Sequence, residues 1–288
     1  MAEFFLELFS EEIPAELQKN LRENLLEEFQ KFFLDKSIKS KKSFSLSTPN
    51  RLIIVFEGLD KQIKILSKEI KGPKTSAPEQ ALEGFIRSNK IEKKDLFESK
   101  TEKGDFYFYK TKSKLLKTND LLKEFVPKIL ENHQWKKSMK WGEYDLNWGR
   151  PLKSILSVFD KKVINFKFHH IFSSDSTYID KDFEEKKKIF TDFTSYEKFL
   201  KKQGSLVNQD KRKEIIKKEF SKILNKRKLM TQDNPRLINE VVNLVDNPNV
   251  LLCTFDKKFL SIPKEILTLT MQSHQRYFPT FNNKDEIT

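Results

Sequence analysis

Short apolar runs alternate along this chain with longer segments in which apolar residues recur every three or four positions. The first run, EFFLELF at 3–9, is short and rich in aromatic residues, as buried strands are. Pro14 follows it, and proline is favoured at the first position of a helix. The apolar positions after it share one helical face: Leu17, Leu21, Leu25, Phe29 and Phe32. This alternation predicts an α+β fold in which mixed clusters of strands pack with helices.

The same patterns divide the rest of the chain into further elements. Strands are predicted at 43–59 (two, joined around Pro49 and Asn50), 62–70, 105–112, 150–159, 163–172 and 250–255. Helices are predicted at 79–88, 118–135, 194–203, 209–228 and 235–246, with a short one beginning at Pro263. Residues 173–192 are polar and charged, which favours a loop or linker. We therefore expect two lobes, 1–172 and 193–288.

The overall charge is basic, but the amino-acid composition limits what it says about function. The 288 residues carry 55 Lys or Arg and 42 Asp or Glu, and the net charge of +13 favours a polyanionic partner such as nucleic acid. Lys accounts for 47 of the basic residues and Phe occurs 26 times, a bias typical of AT-rich genomes. The placement of charge is therefore more informative than its sum. Residues 1–30 carry eight acids and two bases, so we expect this end to face something other than RNA.

Composition also argues against membrane and secreted proteins. No apolar run approaches the roughly 18–20 residues that cross a bilayer. The start, MAEFFLELFSEEIP, is acidic after a short apolar run, whereas a secretory signal has a basic start and a longer apolar region. We therefore expect a cytoplasmic protein. Cys253, the single cysteine, lies in VLLCTF and is expected to pack in the core, since free Cys behaves as a small buried hydrophobe.

Motifs for metal binding, nucleotide binding and catalysis are missing from the sequence. No HExxH, CxxC, GxxxxGK[ST] or GxGxxG pattern occurs. His169 and His170 are adjacent in a strand-like pattern, where neighbouring side chains point to opposite faces and do not easily share a ligand. Glu11 and Glu12 form a carboxylate pair, but they precede a predicted helix, where acidic residues are favoured in any protein. We therefore predict no catalytic, metal-binding or cofactor-binding residue.

The stretch KKSMKWGEYDLNWGRP at 136–151 interleaves basic and aromatic residues. Such a pattern suits stacking on nucleic-acid bases and pairing with phosphates. Its candidate RNA contacts are Lys137, Lys140 and Arg150. The alternative, which residue types alone favour, is a twisted strand and turn whose Trp residues belong to the core.

The predicted helix at 209–228 carries a second basic side. Nine bases and three acids lie between 208 and 228, and Lys211, Lys218 and Lys222 recur at spacings of seven and four. Apolar residues on another side should pack on the body of the protein: Ile215, Ile216, Phe220, Ile223 and Leu224. The lysines would attract phosphates without reading bases, because Lys is a strongly hydrated point charge. A solvated lysine face is an equal alternative.

The stretch MQSHQRYFP at 271–279 combines a histidine, an arginine and two aromatic residues. We expect His274 to be at least half buried and hydrogen-bonded, packed by Tyr277 and Phe278. Arg276 is a further candidate RNA contact. A hydrolase centred on His274 is an alternative, but it needs a nucleophile, and Ser273 is only a neighbour in sequence.

Several separated stretches resemble blocks of one known family and occur in that family's order. They are FFLELFSEEIPAEL (4–17), STPNRLIIVFEGL (47–59), EIKGPKTSAPEQALEGFIRS (69–88), KSMKWGEYDLNWGRPLKSIL (137–156) and TMQSHQRYFPTF (270–281). The chain is similar, essentially from end to end, to the N-terminal part of the β subunit of bacterial tetrameric glycyl-tRNA synthetase.

Three features depart from the family pattern. Phe9 and Ser10 stand where the family usually has Gly-Thr before Glu-Glu. STYIDKDF at 176–183 lacks the Gly-His-Arg-Phe that usually follows, so this stretch offers no counterpart to that His-Arg pair. Family chains are more than twice this long. The resemblance therefore implies a fragment whose second lobe, 193–288, is incomplete at its C-terminal end and which lacks the C-terminal HD-like and anticodon-binding domains.

The resemblance also implies a division of labour between two subunits. The family's α subunit carries the class II catalytic core, which binds ATP and glycine, and its β subunit binds tRNA and completes the active complex. The expected partners are thus the α subunit and tRNA(Gly), with no membrane, no cofactor bound by this chain, and ATP as a substrate of the holoenzyme. A stand-alone basic RNA-binding protein, not involved in aminoacylation, is the alternative.

Overall fold

The computed structural model describes residues 2–65, 67–102, 104–179 and 187–288. The helices within them are α1 (Ala15–Asp35), α2 (Glu79–Asn89), α3 (Thr118–Asn132), α4 (Phe193–Lys202), α5 (Gln209–Arg227), α6 (Pro235–Val242) and α7 (Lys264–Ser273), with 3-10 helices at Lys93–Asp95 and Lys257–Ser261. In the described part of the chain, none of them has the length and apolar composition that a bilayer-spanning helix requires.

The strands complete an α+β fold, as the sequence predicted. They are β1 (Ala2–Ser10), β2 (Lys42–Thr48), β3 (Arg51–Leu59), β4 (Gln62–Ile65), β5 (Glu69–Lys74), β6 (Leu96–Thr101), β7 (Gly104–Lys110), β8 (Lys114–Lys117), β9 (Leu152–Phe159), β10 (Lys162–Val163), β11 (Lys167–Phe168), β12 (Ile171–Ser174), β13 (Ser176–Tyr178), β14 (Lys187–Ile189), β15 (Met230–Thr231) and β16 (Thr280–Phe281).

The chain forms two compact units, and the second is an insertion in the first. The first unit consists of Met1–Asp60 and Leu122–Thr288, and the second unit is Lys61–Leu121. The division therefore falls at other positions than the predicted linker at 173–192. Part of that stretch forms β13 and β14, which pair with each other, and residues 180–186 lie outside the described residues. The described residues of 173–192 belong to the first unit, so the division of the chain does not coincide with the predicted lobes 1–172 and 193–288.

The first unit is built on a sheet, here called the main sheet, with β1 near its centre. The strand order is β11-β12-β9-β1-β3-β2, and β10 pairs with β9. β1 is antiparallel to both β3 and β9, whereas β12 is parallel to β9. Eight of the nine residues of β1 are buried. The apolar run at 3–9 thus forms the buried strand that its composition predicted.

Aromatic side chains bury both faces of the main sheet. On one face, α1 packs against it, with ring centroids 5.5 Å apart for Phe4 and Phe29 and 4.7 Å apart for Phe33 and Phe56. On the other face, Phe5 meets Tyr196 of α4 at 4.8 Å. Fully burying one such ring stabilises the fold by about 1.5–3 kcal/mol. Because α4 belongs to this core, the residues after 192 are not a separate lobe.

The second unit contains a smaller antiparallel sheet of order β5-β7-β6, here called the small sheet, and a separate pair of β4 with β8. The sequence predicted one strand at 62–70. Instead, β4 and β5 are separate strands, and Gly72 and Pro73 lie within β5. The pairing of β5 with β7 is irregular between Lys71 and Lys74, as in a β-bulge.

The predicted strand at 250–255 does not form. Residues 249–256 have no regular secondary structure, and Cys253 is exposed, so its predicted place in the core is wrong. The same stretch forms part of the wall of an apolar cavity of about 500 Å³. Its apolar composition therefore reflects a cavity wall, which periodicity does not distinguish from a buried strand.

Candidate nucleic-acid interface

The stretch 136–151, between α3 and β9, is an irregular loop closed by a single β-bridge. The Met139 N–H donates to the Trp148 carbonyl at 2.8 Å, and the Trp148 N–H donates back at 3.1 Å. Trp148 is buried, and its ring lies 4.7 Å from that of Trp135 and 5.5 Å from that of Phe168. For this tryptophan, the core alternative to RNA stacking is confirmed.

The same packing explains why residue 149 is a glycine. A Cβ atom built at this position would lie 1.9 Å from the Trp135 ring, a distance that no real side chain tolerates. The loop therefore needs glycine here so that the indole can approach the backbone. This explains why Trp-Gly-Arg-Pro stands at the entrance to β9.

The other side of this loop is more exposed and carries a stack of rings. Tyr144 and His170 are almost parallel, with centroids 3.5 Å apart and an interplanar angle of 5°, and the Trp141 ring lies 5.9 Å from His170. Loss of hydration at the imidazole, together with the neighbouring charge of His169, lowers the pKa of His170. Its ring is therefore neutral at pH 7, and a neutral ring stacks on a base without adding charge. Lys137 and Lys140 are exposed on the same loop.

The two histidines at 169 and 170 lie in a tight turn and not in a continuous strand. His169 has a φ of +50° and joins β11 to β12. Its Nε2 atom lies 2.8 Å from the Glu131 Oε2 atom at the end of α3. The predicted strand at 163–172 is thus interrupted at this turn. In the described residues, no three His, Cys, Asp or Glu side chains converge on a possible metal site.

The predicted RNA contacts of this loop have different environments. The Lys140 ammonium lies 3.7 Å from Asp145, and both side chains are exposed. Arg150 is half buried: its Nε donates to the Glu12 carbonyl at 3.2 Å and its Nη1 donates to the Gly149 carbonyl at 2.9 Å. Arg150 therefore ties the loop to the turn before α1.

The three predicted lysines of α5 are all exposed. Lys211 lies 3.0 Å from Glu197 of α4, and Lys222 lies 3.8 Å from Glu219. On the other side of the helix, Ile216 is buried and Phe220 packs against Phe278 with centroids 4.7 Å apart. The predicted amphipathic arrangement of this helix is confirmed, and contact of its lysines with phosphates remains a prediction.

One basic residue of α5 has a structural role that its sequence context did not reveal. Arg212 is fully buried and donates to three backbone carbonyls: Ser47 at 2.8 Å, Val242 at 3.0 Å, and Leu206. Burial lowers the pKa of Arg212 to about 10, so the group still carries its charge at neutral pH. It fastens α5 to β2 and to α6. Among the eight basic residues of this helix, no pattern distinguished it.

A second buried arginine joins two strands of the main sheet. Arg51 of β3 forms an ion pair with Glu7 of β1, and it donates to Thr177 Oγ1 at 2.8 Å and to the Tyr178 carbonyl at 2.7 Å. Thr177 in turn donates to Glu7 at 3.0 Å. Burial acts to lower the pKa of Arg51, but the charge of Glu7 outweighs it and raises that pKa. This network is structural, because every member is buried or half buried.

The stretch 271–279 differs from its prediction at the histidine. His274 follows the last residue of α7 and is exposed, so the expected half-buried, hydrogen-bonded imidazole is wrong. Tyr277 is also 56% exposed, and only Phe278 packs inward. In the described part of the chain, no hydrogen bond or ion pair joins His274 to a nucleophile or carboxylate, which leaves the hydrolase alternative without support. α7 ends at Ser273, just before this histidine.

Arg276 is engaged within the protein. Its Nε lies 2.5 Å from the Glu240 carboxylate of α6, and its Nη1 donates to the Ser273 carbonyl. The residue therefore fixes the end of α7 to α6. Contact with RNA remains a prediction for this arginine.

Comparison with known families shows to which family the chain belongs. A family model described as glycyl-tRNA synthetase beta subunit matches residues 4–288. The chain belongs to the glycyl-tRNA synthetase beta subunit family.

Individual members of this family match the chain along its whole length. The chain is 35% identical over 288 residues to the glycine–tRNA ligase beta subunit of Rickettsia africae, covering all of this chain and 43% of that protein. It is 36% identical to the beta subunit of Rickettsia akari, covering 98% of this chain and 42% of that protein. It is also 36% identical to the beta subunit of Rickettsia felis, covering 99% of this chain and 43% of that protein. The chain thus spans less than half the length of these relatives.

The glycyl-tRNA synthetase beta subunit blocks fall at positions where the structure gives physical reasons for them. The block 47–59 places Arg51 in the buried ion pair, and the block 137–156 contains Gly149 beneath the Trp135 ring. The Gly-His-Arg-Phe stretch that this chain lacks would follow Tyr178, next to residues outside the described ranges.

Proposed function

We propose that this chain is part of a glycine–tRNA ligase β subunit that supports ATP-dependent attachment of glycine to tRNA(Gly) by binding tRNA and a catalytic α subunit. The observation that carries the proposal is the family match over residues 4–288. In this proposal the α subunit binds ATP and glycine, this chain holds no cofactor, and the complex works in the cytoplasm. The net charge of +13 supports a nucleic-acid partner.

Two surfaces of the first unit suit the tRNA-binding part of this function. The side of α5 with Lys211, Lys218 and Lys222 supplies attraction to the phosphate backbone without base recognition. The loop at 136–151 supplies exposed rings next to Lys137 and Lys140, a combination that binds unpaired nucleotides. Arg150 holds the loop at 136–151 to the turn before α1, and contact of Arg150 and Arg276 with RNA remains a prediction.

Reconstitution with the α subunit of the same organism tests the proposal. Tagged α should retain this chain on a resin, and this chain alone should show no ATP–pyrophosphate exchange with glycine. Aminoacylation of tRNA(Gly) is then compared for α with a full-length β subunit and for α with this chain. Exchange activity of the isolated chain would overturn the assignment of catalysis to α. Tight RNA binding with no retention by α would favour the stand-alone RNA-binding protein.

A further inference from the structure

The register of the small sheet places aromatic and basic side chains on one face. In antiparallel strands, directly opposed residues point to the same side. Lys71 and Phe97 both lie opposite Phe108, and Lys74 lies opposite Phe106. All five side chains therefore share one face, which we call the aromatic face.

The opposite face of the small sheet is covered by α2. Position 72 faces that side, because neighbouring strand residues alternate between faces and Lys71 lies on the aromatic face. A Cβ atom at Gly72 would lie 2.9 Å from the Phe85 ring of α2 and 3.0 Å from the Tyr107 carbonyl. Leu82 of the same helix is buried. The small sheet thus has its core on this side.

The aromatic face is open by comparison. Phe97 is 39% exposed, and Phe106 and Phe108 are half buried. The rings of Phe97 and Phe108 are stacked, with centroids 5.9 Å apart and an interplanar angle of 25°. These partly exposed rings offer apolar surface on which a flat ligand can stack.

Two ammonium groups lie above this face. The Lys71 Nζ is 3.5 Å and the Lys74 Nζ 5.9 Å from the centroid of Phe106. The irregular pairing at Gly72 and Pro73 brings both lysines over the same ring. Residues 61–121 as a whole contain fifteen Lys or Arg and nine Asp or Glu. The surroundings of the rings are therefore cationic.

We propose that the aromatic face binds a single-stranded segment of RNA, with unpaired bases stacked on Phe97 and Phe108 and phosphates paired with Lys71 and Lys74. Aromatic rings on an open sheet stack bases, and cations beside them hold the backbone. A duplex is unsuitable because its bases already stack on each other. An apolar protein partner is unsuitable because it would bury the ammonium groups without counter-charges.

This inference rests on the proposed function only for the identity of the RNA in the cell. Its test therefore uses an unrelated oligonucleotide and no α subunit. A result in which the oligonucleotide binds through the aromatic face while α is not retained would remove the proposed function and keep the inference.

The stacking contact is tested by fluorescence anisotropy with a labelled 12-nucleotide RNA that lacks self-complementarity, and with the same strand annealed to its complement. Phe97→Leu keeps an apolar side chain but removes the ring. The matched control is Phe172→Leu on β12, an exposed phenylalanine that also has a lysine, Lys167, 5.5 Å from its ring centroid. Thermal unfolding confirms that both variants fold.

Removal of one stacking ring should weaken binding of the single strand by about fivefold to 150-fold, since a stacked base contributes on the order of 1–3 kcal/mol. Phe172→Leu should bind like the original chain. Equal affinity of the Phe97→Leu and Phe172→Leu variants, or an affinity for the duplex that matches that for the single strand, would overturn the proposal, as would no binding by the original chain.

The phosphate contact is tested through the salt dependence of the same binding. Lys71→Gln with Lys74→Gln should reduce the slope of log affinity against log salt by about 1.4, because each phosphate contact on a single strand contributes roughly 0.7. The control, with equal change of charge, is Lys19→Gln with Lys31→Gln on the exposed side of α1. Equal slopes in the two double variants would mean that only net charge matters and would refute the assigned contact.

Discussion

The main sheet and the small sheet use phenylalanine in opposite ways. In the main sheet, Phe4 and Phe5 point to opposite faces, and each is fully buried, by α1 on one side and by α4 on the other. In the small sheet, α2 covers one face, and the other leaves Phe97 exposed and Phe108 half buried, with Lys71 over the neighbouring Phe106 ring. The same residue type thus forms a scaffold where helices close both faces and a candidate ligand surface where one face stays open.

The same contrast holds for charged groups. In the first unit, Arg51 and Arg212 are buried and satisfied by carboxylate or carbonyl oxygens. In the second unit, Lys71 lies over an aromatic ring, and the pair of Lys110 with Glu69 is exposed at 3.7 Å. Buried charges must be paired because their desolvation is costly, whereas exposed lysines remain available to a ligand.

The largest effect is expected from the buried ion pair of the first unit. Arg51→Leu leaves the Glu7 carboxylate buried without its partner, which should lower the free energy of unfolding by about 3–5 kcal/mol. Glu69→Gln in the exposed pair of the second unit should lower it by less than about 1 kcal/mol. Urea denaturation measures both. Similar losses for the two variants would break the contrast between closed and open sheets.

The next effect concerns the buried arginine of α5. Arg212→Met removes three hydrogen bonds to backbone carbonyls and should cost about 2–3 kcal/mol of unfolding free energy, since a bond to a charged group contributes about 1.5–3 kcal/mol and methionine recovers part of the packing. Lys218→Met, on the exposed side of the same helix, should change it by less than about 0.5 kcal/mol. Equal unfolding midpoints for the two variants would show that burial of this arginine is unimportant.

A binding effect is expected from the lysines of α5. Replacing Lys211, Lys218 and Lys222 by Gln should flatten the slope of log tRNA affinity against log salt by about two, because each phosphate contact contributes roughly 0.7–0.9. Filter binding at several salt concentrations provides the slope. An unchanged slope and affinity would leave only a solvated lysine face on this helix, and the second unit would then be the stronger candidate for RNA contact.

The smallest effect concerns the pH dependence of the His170 stack. The pKa of His170 is lowered in the folded chain by loss of hydration and by His169, so the unfolded chain binds this proton more readily. The contribution of His170 to the free energy of unfolding is therefore fully present above the ordinary histidine pKa of about 6.5. It is lost as the pH falls towards the lowered pKa of the folded chain. Between pH 7.5 and 5.5, the melting temperature should fall further for the original chain than for His170→Gln. An identical fall in both would contradict a neutral stacked imidazole.

The elements of the fold followed from local periodicity more readily than their arrangement did. The helix predicted at 209–228 forms as Gln209–Arg227, and the run at 3–9 lies within β1. The insertion of residues 61–121 was not foreseen, because their composition resembles that of the flanking segments and the division depends on contacts between residues far apart in sequence. The strand predicted at 250–255 was wrong for a related reason, since apolar residues line a cavity wall as readily as they form a buried strand.

The candidate site was less predictable still. Whether an arginine is buried depends on which carbonyls surround it, so Arg212 could not be separated from its exposed neighbours by sequence. His274 was expected in a core because of the aromatic residues beside it, but α7 ends just before it and leaves it exposed. The sequence does not predict the aromatic face, because its residues belong to three strands and are brought together only by the register of the small sheet.

Photo-crosslinking tests most directly whether the open sheet is the ligand surface and the closed sheet the scaffold. The chain is irradiated with tRNA(Gly) containing 4-thiouridine, and crosslinked peptides are identified by mass spectrometry. The account predicts crosslinks within residues 96–110, which carry Phe97, Phe106 and Phe108, and none within β1. Crosslinks in other exposed parts of the chain with none in residues 61–121 would contradict it.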